Sequence, residues 1–129
     1  MIVMSDECPF CILESRVIDE TLNMVLIESK FEVAEKGHYL IIPRNHIKSC
    51  FDFSISEWIE AKQLINKAKI IMITGGLYHD FNVGWNDGKY AGQTIMHAHI
   101  HIIGRKKGDV EDPRGGIRNV IPARGNYLK

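Results

Sequence analysis

From His97 to Ile103 the chain reads His-Ala-His-Ile-His-Ile-Ile, with histidine at every second position and small or aliphatic residues between. Extended backbone sends alternate side chains to opposite faces. The pattern therefore predicts a strand with Ala98, Ile100 and Ile102 facing a core and His97, His99 and His101 lining the other surface. The run is internal and apolar on alternate positions, which excludes a purification tag. A solvated strand that merely carries three histidines is the plainer alternative, and a metal site built from strand histidines is a third reading.

The rest of the chain supplies partners for that strand. Asn23 to Glu28 and Tyr39 to Ile42 are short apolar runs bounded by turn-forming or charged residues. Phe31 to Glu35 alternates between them, so three strands in an antiparallel meander are expected. Ser54-Ile55-Ser56-Glu57 has capping-box spacing, and Trp58, Ala61, Leu64, Ile65, Ala68, Ile71 and Met72 then recur at helical spacing until Gly75-Gly76. This is the one long helix, with a stripe given over to core packing. Asp80 to Trp85 alternates as a further strand. Asn86 to Thr94 is a polar, glycine-bearing loop leading into the histidines, and Arg105 to Lys129, with Pro113, Pro122 and four glycines, is expected to be mostly irregular. The order of elements indicates an α+β fold, an antiparallel sheet covered on one face by the helix.

At 129 residues the chain reads as one domain over 1–129, with a Cys-x-x-Cys segment at 1–22 and a tail at 105–129. Lys plus Arg and Asp plus Glu number 16 each, so no bulk charge draws it to nucleic acid or membrane. From Gly104 onward seven Lys/Arg face three Asp/Glu, a net of +4 that suits a polyphosphate or simply a solvated segment. No apolar stretch is long enough to span a bilayer, and Met1 to Cys11 lacks the marks of a signal peptide, so a cytoplasmic protein is expected. Cys8, Cys11 and Cys50 are too few and too unevenly placed for a disulfide framework. Cys50 is expected to be a small buried residue, and His79, without a motif partner, to lie at the surface.

Imidazole suits acid–base or nucleophilic chemistry because its unperturbed pKa is about 6.5. A neutral ring can attack phosphorus while neighbours stabilise the oxygens of the transferring group. Backbone N–H groups around Gly92 and the side chains of Gln93 and Thr94 can donate to phosphate oxygens. With no Walker-type glycine run and no acidic magnesium cluster, histidine-based phosphoryl or nucleotidyl transfer is the sharper hypothesis.

His97-Ala98-His99-Ile100-His101-Ile102-Ile103 resembles the signature of the histidine triad (HIT) family. Asn82 to Gly88, Ala91-Gly92-Gln93-Thr94 and Gly104 to Asp109 are similar to the branch of the fragile histidine triad and diadenosine polyphosphate hydrolases. Gly37 to His46 resembles the family's other recurrent block. The resemblance implies a five-stranded antiparallel sheet with one long helix, and a homodimer forming a ten-stranded sheet. It implies cleavage at the α-phosphate of dinucleoside polyphosphates, nucleoside phosphoramidates or adenylates, with an adenine nucleotide as substrate. His99 would be the nucleophile, oriented through the His97 carbonyl; His101 would hydrogen-bond a phosphate oxygen, and His38 would be the site's fourth histidine. Asn86, Gly92, Gln93 and Thr94 would serve the phosphates and leaving group.

The family's usual Asp or Asn for the ribose hydroxyls is replaced here by Glu28-Ser29-Lys30. The Cys-x-x-Cys pair resembles that of many bacterial members, which implies a structural zinc on Cys8, Cys11, His46 and His97; a reduced pair in a short helix is the alternative. Two other function classes stay open. One is a zinc hydrolase using the three strand histidines as catalytic ligands, and the other is a nucleotide-binding adaptor with slow turnover.

Overall fold

The computed structural model describes residues 8–11, 13 and 16–128. The rest of the expected 1–22 segment, and Lys129 of the tail, lie outside the described residues. The chain forms β1 (Val17–Glu20), β2 (Met24–Glu28), β3 (His38–Pro43), α1 (Ile55–Thr74), β4 (Asp80–Gly84), β5 (Ile100–Arg105) and α2 (Pro122–Gly125). The strands make one antiparallel sheet in the order β1-β2-β3-β5-β4. β5 enters between β3 and β4, so the histidine-bearing strand has a neighbour on both sides.

Alternation sorts the side chains as expected. Met24, Leu26, Tyr39, Ile41, Ala98, Ile100 and Ile102 face α1, where they meet Ala61, Leu64, Ala68 and Met72. On the opposite face Val25, Ile27, Leu40 and Ile42 form a smaller cluster with Cys8 and Phe10. The helix starts on a complete capping box: the Glu57 N–H donates to Ser54 Oγ at 3.1 Å and the Ser54 N–H to Glu57 Oε1 at 2.8 Å. It stops where the Gly75 N–H returns to the Ile71 carbonyl and Gly76 takes a positive φ of 79°, a conformation open to glycine at little cost.

Three boundaries differ from expectation. Phe31 to Glu35 is not a strand but a loop with turns and bends. Phe31 is 82% and Val33 72% exposed, so the alternation there has no neighbouring strand or core to bury its apolar side. The fifth strand is β1 instead, which pairs with β2 across an irregular register and carries only a short pattern, Val-Ile-Asp-Glu. The histidine strand begins at Ile100 and runs to Arg105, not from His97 to Ile103, because the Ala98 N–H is taken by the Ile47 carbonyl (2.6 Å), outside the ladder. The tail is mostly irregular, as expected, with two short helical turns.

The end of the sheet that carries His38 is locked by Tyr78. A Cβ on Gly37 or Gly104 would run into its ring, and its hydroxyl donates to the Glu35 carbonyl at 2.6 Å. Among the described residues no helix is long and apolar enough to cross a membrane.

Candidate functional site

His38 opens β3 and His101 lies on β5, the strand beside it. Their ring nitrogens, His38 Nε2 and His101 Nδ1, are 2.9 Å apart. The Val33 N–H, which can only donate, reaches His38 Nδ1 at 3.2 Å. That fixes the tautomer: His38 carries its proton on Nε2 and donates it to His101 Nδ1, so His101 carries its own proton on Nε2. His101 Nε2 is buried and has no partner among the described residues. An orphaned buried donor costs on the order of 1–3 kcal/mol, and it is ready for an acceptor such as a phosphate oxygen.

His99 is oriented by the same logic. Its Nδ1 lies 2.8 Å from the His97 carbonyl, an obligatory acceptor, so Nδ1 holds the proton and Nε2 keeps a lone pair. Cys50 is buried in the core, and that burial pushes its thiol up to about 12. The site stays uncharged near neutrality. Burial lowers the pKa of His99 against the pull of the His97 carbonyl, and lowers that of His38 against nearby Glu32. His101 falls to about 4 through burial and then the neighbouring His99 and His38.

His97 faces elsewhere. Fully buried, it gives its Nε2 proton to the Pro43 carbonyl at 2.7 Å, which leaves the Nδ1 lone pair directed away. Cys8 Sγ lies 3.5 Å and Cys11 Sγ 3.6 Å from that nitrogen; His46 Nδ1 lies 3.1 Å from it and 3.3 Å from Cys11 Sγ. All four donor atoms fall within 4.8 Å of one another. A tetrahedral ion at zinc–thiolate and zinc–imidazole bond lengths would space its donors about 3.3–3.8 Å apart, so this set fits a metal with little adjustment. It is the one metal-competent group of His, Cys, Asp or Glu among the described residues, and it excludes His99 and His101. The three triad histidines do not converge on a common point, and the structure offers no support for a catalytic zinc held by them.

The loop from Gly84, which pairs with His101, to His97 flanks the triad. Asn86, Gly92 and Thr94 are exposed, whereas Gln93 is buried. Its Nε2 donates to the Lys48 and Ile95 carbonyls (2.9 and 3.1 Å) and its Oε1 accepts the Gly88 N–H at 2.9 Å. The N–H groups of Ala91, Gly92 and Gln93 are likewise spent on Gly88 and Lys89 carbonyls. Gln93 thus fixes the loop's shape, and Gly92 allows its turn with φ of 98°. Ser49 Oγ adds a bond to Asp87 Oδ2 at 2.5 Å.

Just past β2 the Ser29 N–H donates to the His38 carbonyl at 2.8 Å, so the alternation carries on and puts Ser29 on the face of Val25 and Ile27, with Glu28 on the other; Lys30 is exposed beside Phe31. His79 is exposed and Cys50 is buried, as expected. A cavity of about 580 Å³ beyond Ile103 is lined in part by Asn82, Arg105, Asp109 and Pro113. Arg105 is paired there with Asp109 at 2.8 Å and bonded to Asn82 at 2.6 Å, and Arg114 with Asp112 at 3.0 Å. The tail's positive charge is therefore partly spent in internal pairs.

Sequence reasoning missed the roles of Val33 and Phe10. Val33 acts through its main chain, which residue type does not report. Phe10 packs its ring against both His97 and His99; its one signal was its position between two cysteines.

The profile of the HIT domain matches residues 13–108. The bis(5'-nucleosyl)-tetraphosphatase [asymmetrical] of Schizosaccharomyces pombe is 34% identical over 76 residues, covering 59% of this chain and 42% of that protein. The bis(5'-adenosyl)-triphosphatase of Dictyostelium discoideum is 31% identical over 109 residues, covering 81% of this chain and 69% of that protein. Thus the chain spans less than half of the first relative's length. Among solved structures, the Plasmodium falciparum diadenosine triphosphate hydrolase superposes with a TM-score of 0.68 at 30% identity, covering 84% of this chain and 71% of that one. A HIT family protein from Bacillus anthracis gives 0.72 at 24% identity, over 81% and 77% of the two chains.

Proposed function

Because the chain belongs to the HIT family, we propose that it is a nucleotide hydrolase or transferase that cleaves at the α-phosphate through a nucleotidyl-His99 intermediate. The observation that carries this is the tautomer of His99: the His97 carbonyl holds Nδ1–H and leaves Nε2 as a neutral nucleophile. In the first step the Nε2 lone pair forms a bond to the α-phosphorus, and the bond from phosphorus to the leaving group breaks with its electron pair. Water then attacks phosphorus and gives a proton to solvent, the N–P bond breaks, and its electron pair returns to Nε2 as a nucleoside monophosphate is released. His101 Nε2–H, aligned by His38, stabilises a non-bridging oxygen in both steps.

Asn86 and Thr94 are assigned to phosphate oxygens and the leaving group, with Gly92 and Gln93 holding the loop that presents them. Ser29 is assigned to the ribose hydroxyls on the strength of its face. The related phosphatases act, by name, on bis(5'-nucleosyl) and bis(5'-adenosyl) substrates, which supports a dinucleoside polyphosphate with an adenine nucleotide as one half. Zinc suits the Cys8, Cys11, His46 and His97 donors. When bound it would supply a structural crosslink and would leave His99 free. A homodimer suits the unpaired edge of β4 and the exposed Ile59, Ile70 and Ile73 of α1. Cysteines held in no disulfide among the described residues suit the reducing cytoplasm.

The test is chromatographic product analysis of the wild type and His99→Ala with diadenosine tri- and tetraphosphate, an adenosine phosphoramidate and ATP, with and without brief chelation. AMP release by the wild type alone, surviving a chelation too brief to draw an ion from the Cys8-Cys11-His46-His97 centre, is expected. Equal turnover by both proteins contradicts the nucleophile assignment. Tight nucleotide binding without turnover would identify the adaptor instead.

A further inference from the structure

Phe10 lies in a tight turn that the Cys11 N–H closes on the Cys8 carbonyl at 3.2 Å. The thiols on either side of it reach His97 and His46, residues far away in the chain. Phe10 itself is 7% exposed and packs with Val25, Ile27, Leu40 and Ile42 on the histidine face. Its ring meets that of His97 with centroids 6.1 Å apart and planes at 89°, and that of His99 at 4.9 Å and 67°. One aromatic ring therefore touches both a candidate metal ligand and the candidate nucleophile.

We infer that Phe10 is a positioning residue that couples occupancy of the Cys8-Cys11-His46-His97 centre to the competence of His99. The inference rests on the reading of His99 as nucleophile. The Nδ1–H bond to the His97 carbonyl constrains the imidazole at one edge and the His101 ring meets it at 5.0 Å, but one hydrogen bond and one ring contact leave the imidazole room to swing. Edge-on packing by Phe10 blocks that motion and shields the bond. The turn's own backbone bond is local, and among the described residues its seat on the sheet rests largely on the two thiols and the phenyl ring, with Leu13 packed beside them. A metal ion would fasten both thiols to His46 and His97, and with them the ring between. Loss of the ion leaves weak S–H and sulfur hydrogen bonds in its place. The turn then opens locally, as weakly tethered segments do, and Phe10 lifts from His99.

The experiment compares zinc-loaded and zinc-stripped wild type, Phe10→Ala and Phe10→Leu. The readouts are diethyl pyrocarbonate labelling of His99, followed by peptide mass spectrometry, and kcat and KM. Zinc content and thermal unfolding are followed alongside. Stripping the wild type and introducing Phe10→Ala should each raise His99 labelling about tenfold and lower kcat by a similar factor, with KM changed less than about twofold. Phe10→Ala should still hold zinc, and stripping it should add little to either effect, because the ring that transmits the loss is gone. Phe10→Leu, which restores bulk, should keep most of the wild-type protection, and it carries the comparison if Phe10→Ala unfolds. Labelling unchanged by stripping, or effects of stripping and Phe10→Ala that multiply independently, would overturn the coupling. Since labelling needs no turnover, the expected pattern in a protein that cleaves none of the tested nucleotides would uphold the coupling while defeating the proposed reaction.

Discussion

Acidification should destabilise the fold through His101 in a way that one substitution can isolate. Burial, with His99 and His38 alongside, lowers its pKa from 6.5 to about 4. The native ring therefore stays neutral at pH values where the unfolded ring takes a proton. Between about pH 6.5 and about pH 4 the unfolded state binds more protons, so stability is complete above that window, falls as pH drops through it, and levels off below. A displacement of this size corresponds to about 3 kcal/mol, and the ring's partial exposure screens this towards about 2 kcal/mol. His38, His97 and His99 are lowered too and act with the same sign. His101→Asn removes the titrating ring while its amide oxygen can still accept the His38 Nε2–H. Urea midpoints of both proteins at about pH 8 and about pH 4 give the comparison; metal-ligand protonation is common to both and drops out of the difference. The wild type should lose about 2 kcal/mol more than the variant. An identical loss in the two proteins would refute the argument.

Activity should share this acid tolerance, because burial lowers the His99 pKa: kcat/KM should hold through about pH 6.5 and fall only at lower pH, as a pH–rate profile would show. Ser54→Ala removes the side-chain half of the helix cap and should cost about 1 kcal/mol in chemical denaturation. Gly104→Ala drives a methyl into the Tyr78 ring and should cost about 1–3 kcal/mol, visible as a lower urea midpoint at unchanged slope. Gln93→Ala frees the loop before the triad from three hydrogen bonds and should raise KM more than it lowers kcat in steady-state kinetics.

Much of this was legible because it rests on local periodicity. The alternation at 97–103 predicted which residues face α1, since a core accepts Ala98, Ile100 and Ile102 and rejects imidazole. Ser54 and Glu57 marked the helix start because a capping box is a short-range device. Where burial depends on distant chain, pattern misled. Phe31 to Glu35 alternates like a strand yet has nothing to cover it, while the unremarkable Val17–Glu20 finds β2. The division of labour within the triad, with His97 serving the cysteine cluster and His101 serving His38, came as a family resemblance. In the structure it follows from main-chain groups: the carbonyls of Pro43 and His97 and the N–H of Val33 set the three tautomers. Main-chain partners leave no mark on residue type. Gln93 read as a phosphate donor for the same reason, since its carbonyl partners at Lys48 and Ile95 are fixed only by the fold.

The most direct measurement is intact-protein and peptide mass spectrometry of enzyme quenched in acid-free denaturant within one turnover of diadenosine tetraphosphate. A mass increase of one nucleoside monophosphoryl group, mapped to the peptide holding His99 and abolished in His99→Ala, is the expected result. Turnover that releases AMP with no adduct at any quench time, or an adduct on His97 or His101, would contradict the assignment of His99 Nε2 as the nucleophile.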